Sequence, residues 1–187
     1  MKEEKKIVLG ITGASGSIYA LRLIEELAKM DITIHIVASE TGKEVLKYET
    51  GQSLESFASK NIILEDSKNF FSSIASGSFK TDGMVIVPCS VSTLGSIASG
   101  ISSNLLHRVA AVCLKEKRNL ILAVRESPLT SIDLQNMLIL SNAGATIMPL
   151  APAFYGKQKT LEDLVNFMIG KILDNLNIEN NIYERWQ

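Results

Sequence analysis

Lys6-Ile7-Val8-Leu9-Gly10-Ile11, running straight into Thr12-Gly13-Ala14-Ser15-Gly16-Ser17, decides the fold. The first stretch reads as a buried strand. The second is a glycine–serine loop, after which Ile18, Leu21, Ile24 and Leu27 recur at helical spacing. A short loop of this kind turns backbone N–H groups outward at a helix N-terminus. Those groups and the helix dipole bind phosphate. Gly10, Gly13 and Gly16 are spaced G-x-x-G-x-x-G, so the loop is not the G-x-G-x-x-G dinucleotide fingerprint. No Gly-Lys-Ser/Thr follows, so it is not a Walker loop. The second strand, Ile32–Ala38, ends in Ser39, with Glu40 one place late for a ribose-binding acid. The pattern disfavours NAD and suits a mononucleotide such as FMN.

Outward from this unit, strand and helix signals alternate. Helical stretches are expected over 40–49, stopped by Gly51, and over 105–117, 132–141 and 160–176. Short strands are expected at 62–64, 84–87, 120–124 and 146–148. Met84-Val85-Ile86-Val87 and Leu120-Ile121-Leu122-Ala123-Val124 are continuous apolar runs, as strands covered on both faces require. Residues 66–82 form a serine-rich irregular stretch, more often functional than idle in a compact α/β domain. The fold class expected is α/β: a doubly wound parallel sheet in a Rossmann-like, flavoprotein three-layer sandwich, with residues 1–187 as one domain.

Composition excludes several functions. The formal net charge is −1, which argues against nucleic-acid or membrane-surface binding driven by bulk charge. Cys89, Cys113, His35 and His107 have no metal-ligand spacing, so no metal is expected. With a charged N-terminus no signal peptide is expected, and no apolar stretch is long enough to span a membrane. The expected location is cytoplasmic.

In a doubly wound sheet the ligand lies at the carboxyl ends of the strands. Those ends carry Ser15, Ser39, Pro88-Cys89-Ser90-Val91-Ser92-Thr93, Arg125-Glu126-Ser127-Pro128 and the stretch Pro149–Tyr155. Arg125-Glu126 directly after a buried strand suggests a buried ion pair, which is costly without a purpose.

These segments resemble one family in order and spacing. Gly10-Ile11-Thr12-Gly13-Ala14-Ser15-Gly16, Ser76-Gly77-Ser78-Phe79, Pro88-Cys89-Ser90 with Thr93-Leu94, Asn104-Leu105-Leu106 with Arg108, Leu114-Lys115-Glu116, Arg125-Glu126-Ser127-Pro128-Leu129, Asn136-Met137-Leu138 and Pro152-Ala153-Phe154-Tyr155 look like the UbiX-type flavin prenyltransferases, formerly called phenylacrylic or 3-octaprenyl-4-hydroxybenzoate decarboxylases. The match runs from about Ile7 to Trp186. It implies a metal-independent transferase that joins a dimethylallyl group, from a dimethylallyl phosphate, to N5 and C6 of reduced FMN. The flavin is then a substrate, and the prenylated FMN serves a UbiD-type decarboxylase. The resemblance also implies a homo-oligomer, typically a dodecamer, with sites at subunit interfaces.

Carried over residue by residue, the resemblance implies FMN binding by Gly13, Ala14, Ser15, Ser39, Ser90, Val91, Ser92, Thr93 and Arg125. Ser15 and Glu49 match a pair near flavin N5 and C6, where a hydroxyl and a carboxylate relay the proton that C6 loses. Glu126 matches an acid beside the prenyl phosphate, able to protonate the leaving group if burial raises its pKa. Lys115, Arg125, Tyr155 and Lys171 match prenyl-phosphate ligands, which neutralise the leaving group as the allylic C–O bond ionises. Arg108 and Trp186 match further positions near the site.

Other residues have plainer readings. Phe70 and Phe71 are expected in the core, His35 as a structural residue, and Cys89 as a small buried residue at a strand end. Four positions depart from the family pattern. Lys171 replaces an arginine and loses its bidentate fork. Ala111 replaces an aspartate, Asp133 a histidine, and Gln158 a proline. Two alternatives stay open: an FMN-dependent decarboxylase of related fold, and a non-catalytic FMN-binding protein. The prenyl donor, monophosphate or diphosphate, is also open.

Overall fold

A computed structural model of the chain describes residues 5–156 and 158–186. Six strands form one all-parallel sheet: β1 (Lys5–Ile11), β2 (Ile32–Ala38), β3 (Ile62–Glu65), β4 (Gly83–Cys89), β5 (Asn119–Val124) and β6 (Thr146–Ile147). Their order is β3-β2-β1-β4-β5-β6. Chain direction across the sheet therefore reverses between β1 and β4, where a ligand crevice is expected. The helices are α1 (Ser17–Ala28), α2 (Glu40–Thr50), α3 (Val91–Ala98), α4 (Leu105–Lys115), α5 (Ser131–Asn142) and α6 (Leu161–Asn175). Short 3₁₀ turns lie at Leu54–Phe57 and Ser73–Ala75.

The period-two alternation of the strands divides the core. Ile7, Leu9 and Ile11 point to one face and pack with Leu23 and Ile24 of α1 and Ile169 and Leu173 of α6. Val8, Met84 and Ile86 point to the other and pack with Leu94 of α3 and Leu106 and Val109 of α4. Helices thus cover both faces, which is why the strands read as unbroken apolar runs.

Two expectations change, and α5 adds an exposed apolar face. The sequence reading left residues 91–98 without an element, but they form α3, capped by the Ser90 hydroxyl on the Thr93 amide at 3.3 Å. Phe70 and Phe71 are not core: Phe70 is exposed and Phe71 fully so. On α5, Leu140 is the one buried residue, while Ile132, Leu134, Leu138 and Ile139 are exposed. His35 is buried as expected, its Nδ1 2.8 Å from Glu65 Oε1. Asp133, one of the departures, closes a capping box with Thr130 at the start of α5.

Candidate active site

The loops after β1 and β4 are stitched together at the point of reversal. Thr12 is buried; its hydroxyl donates to the Pro88 carbonyl at 2.7 Å and accepts the Ser90 amide at 2.9 Å. One side chain thereby fixes the Gly13–Gly16 loop against the Ser90–Thr93 turn. Sequence reasoning gave Thr12 no role, because the contact depends on β1 and β4 being neighbours across 76 residues. The Val87–Pro88 and Ser127–Pro128 peptides are both cis, at the ends of β4 and β5.

The first loop is held from its other side by α2. Ser39, at the end of β2, donates its amide to the Ile11 carbonyl at 3.0 Å, and its hydroxyl caps the Gly42 amide at 3.0 Å. A Cβ on Gly42 would lie 2.6 Å from the Ile11 carbonyl oxygen, so α2 seats directly on the end of β1. That seat carries Glu49 to the first loop. Its carboxylate accepts the Gly16 amide at 3.0 Å and the Ser17 amide at 2.7 Å. Gly16 has φ 111°, a left-handed conformation that glycine adopts without strain and that turns the loop into α1.

This arrangement narrows the expectation of phosphate at the α1 N-terminus. Two of the amides that would serve an anion there, those of Gly16 and Ser17, already serve Glu49. An exposed carboxylate has taken the dipole-favoured position. Burial pushes the Glu49 carboxyl up, but the Ser15 hydroxyl and the Ser17 and Gly16 amides outweigh it and hold the group below the ordinary glutamate range. Ser15, carried over as the partner of Glu49, contributes to that lowering. Glu49 is an ionised acceptor at neutral pH. Amides in the first turn of α3 have no intrahelical acceptor. Ser90 takes that of Thr93, leaving those of Val91 and Ser92 for a ligand.

Arg125 leaves the end of β5, its amide bonded to the Cys89 carbonyl at 3.2 Å. Its side chain crosses β4 toward the first loop, where Arg125 Cγ lies 3.8 Å from the position a Gly16 Cβ would take. Among the described residues, its Nε is buried and has no hydrogen-bond partner. A buried, unpaired guanidinium nitrogen costs free energy and fits an anionic ligand. Arg125 forms no ion pair with Glu126, contrary to expectation. Glu126 is exposed, its carboxylate accepting the Ser127 amide at 3.0 Å.

The remaining site residues fall into two other places. Tyr155 and Trp186 touch, ring centroids 5.1 Å apart and edge to face; Tyr155 also meets Phe167 of α6 at 5.9 Å. Lys171 lies one turn beyond Phe167 on α6 and is exposed. Lys115 is elsewhere. It ends α4, below the start of β5, and pairs with Glu116 beside Gly77. Arg125 follows the far end of β5, six residues or about 20 Å along the strand. One chain therefore holds Lys115 and Arg125 at opposite edges of its sheet. Arg108, also on α4, bonds through Nε to the Ala75 carbonyl at 3.1 Å and so ties down the serine-rich stretch. Cys89 is fully buried and its thiol is pushed up to about 12 by that burial, so it is inert packing as expected. No group of three metal-ligating side chains occurs among the described residues.

The residues fit a flavin mononucleotide: an unpaired buried arginine nitrogen, small loop residues, and open amides meet at the point of reversal. Comparison with known proteins shows the family. The family model described as Flavoprotein matches residues 1–173. A flavin prenyltransferase UbiX of Methanocaldococcus jannaschii is 46% identical over 97% of this chain and 98% of its own. The crystal structure of AnUbiX (PadA1) in complex with FMN and dimethylallyl pyrophosphate superposes with a TM-score of 0.95 at 37% identity, covering 99% of this chain and 98% of that one. A dodecameric FMN-dependent UbiX-like decarboxylase from Escherichia coli O157:H7 superposes with a TM-score of 0.94 at 38% identity, covering 97% of this chain and 99% of that one. This chain belongs to the UbiX flavin prenyltransferase family.

Proposed function

We propose that this chain is a flavin prenyltransferase that transfers a dimethylallyl group from dimethylallyl phosphate to reduced FMN and supplies the product to a UbiD-type decarboxylase. The observation that carries the reading is the unpaired, buried Nε of Arg125 beside the Ser15–Glu49 pair. FMN, bound by Gly13, Ala14, Ser15, Ser39, Ser90 to Thr93 and Arg125, supplies the nucleophilic N5 and C6. Arg125 places a fixed positive charge where the flavin and the prenyl phosphate meet, favouring departure of the phosphate. Glu49 accepts the proton lost from C6, through the Ser15 hydroxyl that bonds to it. With two backbone amides already on its carboxylate, Glu49 is held in one orientation.

The prenyl-phosphate site is completed between subunits. Lys115 and Arg125 lie at opposite edges of one sheet, so the phosphate takes them from different copies. The exposed Ile132, Leu134, Leu138 and Ile139 of α5 give such an assembly an apolar face to cover, and the related E. coli protein is a dodecamer. Two buried free thiols suit a reducing cytoplasm, and no described helix is long and apolar enough to cross a membrane.

The test is anaerobic turnover. Protein, reduced FMN and dimethylallyl phosphate are incubated, and the released flavin is weighed by mass spectrometry. A gain of one five-carbon unit without phosphate is expected. Bound but unchanged FMN with both the monophosphate and the diphosphate would move the assignment to a flavin-binding or decarboxylase role.

A further inference from the structure

The polar contacts of the segment that carries Trp186 converge on Asp174. The Asp174 carboxylate, near the C-terminal end of α6, accepts Arg185 Nη2 at 2.7 Å and Asn180 Nδ2 at 2.9 Å on Oδ1. On Oδ2 it accepts the Tyr183 hydroxyl at 2.7 Å and Arg185 Nη1 at 3.0 Å. The arginine contact is bidentate, the strongest and most directional form of this pair. The Tyr183 ring packs against Gly170, one turn earlier on α6, where any Cβ would overlap it. The Arg185 guanidinium sits 4.9 Å from the centroid of the same ring.

Local helix physics does not ask for this carboxylate. A negative charge in the last turn opposes the helix dipole. Asp174 is compensated by the segment it holds, and truncating it removes a disfavoured charge from α6 rather than a helix-forming group. From this clasp, edge-to-face rings run to Trp186: Tyr183 to Phe167 at 5.3 Å, Phe167 to Tyr155 at 5.9 Å, and Tyr155 to Trp186 at 5.1 Å. Trp186 is 76% exposed, so core burial does not fix it. Its covalent neighbour Arg185 and the Tyr155 ring do. Tyr155, Gly156, Arg185 and Trp186 line a cleft of about 210 Å³ whose shape follows from that seating.

We infer that Asp174 is a positioning residue: by clamping residues 180–185 onto α6 it seats Trp186 against Tyr155 and so shapes one wall of the prenyl-phosphate site. The inference rests on the reading that Tyr155 and Trp186 flank the prenyl phosphate.

Trp186 is the one tryptophan of the chain, so its emission anisotropy reports the seating directly. The experiment compares intact wild-type protein with D174A, D174E and W186A, measuring anisotropy, FMN affinity, and kcat and KM for dimethylallyl phosphate. For D174A we expect lower anisotropy and a KM raised about tenfold, the order set by re-immobilising one or two side chains on binding. FMN affinity and kcat stay near wild type, and D174E recovers part of the KM. Unchanged anisotropy or unchanged KM in D174A overturns the inference. If KM is unchanged in W186A too, the placement of the prenyl site at Trp186 is what failed. If W186A raises KM and D174A does not, the clasp is what failed. Loss of FMN affinity in D174A assigns the effect to the fold and also overturns it.

Discussion

The Glu49 carboxylate accepts the Ser17 amide at 2.7 Å, and this bond makes one residue serve two purposes. It caps α1, 32 residues away in sequence, and it fixes a proton acceptor at the mouth of the flavin loop. Glu49→Gln keeps an oxygen for the amides and loses the charge. We expect FMN binding to survive and prenylated-flavin formation to slow by about 100-fold or more, the usual range for removing a positioned base. Single-turnover mass spectrometry of the flavin checks it; wild-type turnover would remove Glu49 from the proton path.

Because α2 carries Glu49, its seat matters as much as its charge. Gly42→Ala puts a Cβ 2.6 Å from the Ile11 carbonyl oxygen, and neither backbone can yield without moving α2. The expected cost is about 1–3 kcal/mol of stability from overpacking. Turnover should fall further than FMN affinity. Thermal melts and the same turnover assay separate the two effects.

Thr12 offers a cleaner test of the crevice. Thr12→Val leaves the Pro88 carbonyl and the Ser90 amide without their partner in a buried place. A loss of about 1–3 kcal/mol is expected, or several degrees in Tm at this chain length. FMN affinity should weaken because the Ser90 turn is released. Thr12→Ser should restore both readouts, since the hydroxyl alone makes the two bonds.

How far the sequence revealed this site depends on where each partner lies. The continuous apolar runs of β4 and β5 declared a sheet covered on both faces, and the glycine–serine loop declared the crevice. Helix α3 was hidden because Val91, Ser92, Thr93 and Gly95 are poor helix formers. The Ser90 cap three residues before Thr93 was the signal available. The seat of Glu49 on the α1 amides was invisible, since it requires knowing that α2 abuts the end of β1. Lys171 stood out only through resemblance, and the clasp at Asp174 depends on a chain reversal after α6 that no periodicity announces.

The clasp has a defined pH dependence. Bonds from Arg185, reinforced by Tyr183 and Asn180 against an opposing burial effect, hold the Asp174 carboxyl at about 2. Its unfolded value is about 3.9. A depressed carboxylate contributes stability in full above the unfolded pKa, and loses it as pH falls through the folded one. The stability difference between wild type and D174A, measured by urea unfolding, should be constant above pH about 5 and shrink steadily toward pH about 2. A difference that persists at the acid end would show that packing of Tyr183 on Gly170, not the carboxylate, holds the segment.

Lys115 and Arg125 supply the sharpest test of a shared site. Each is a carried-over phosphate ligand, yet α4 ends by Gly77 at one edge of the sheet and Arg125 stands at the other, beside Gly16. Lys115→Ala and Arg125→Ala should each abolish most turnover when made alone. Co-expressed in equal amounts, the two variants assemble into mixed oligomers. A site drawing Lys115 from one subunit and Arg125 from another is then intact in about a quarter of random pairings, because the two residues segregate independently across a repeated interface. Recovery of turnover toward that fraction, absent when the purified variants are combined without subunit exchange, is the expected result. No recovery on co-expression would mean that both residues act within one chain, and that Lys115 must then leave Glu116 and cross the length of β5 to reach the phosphate.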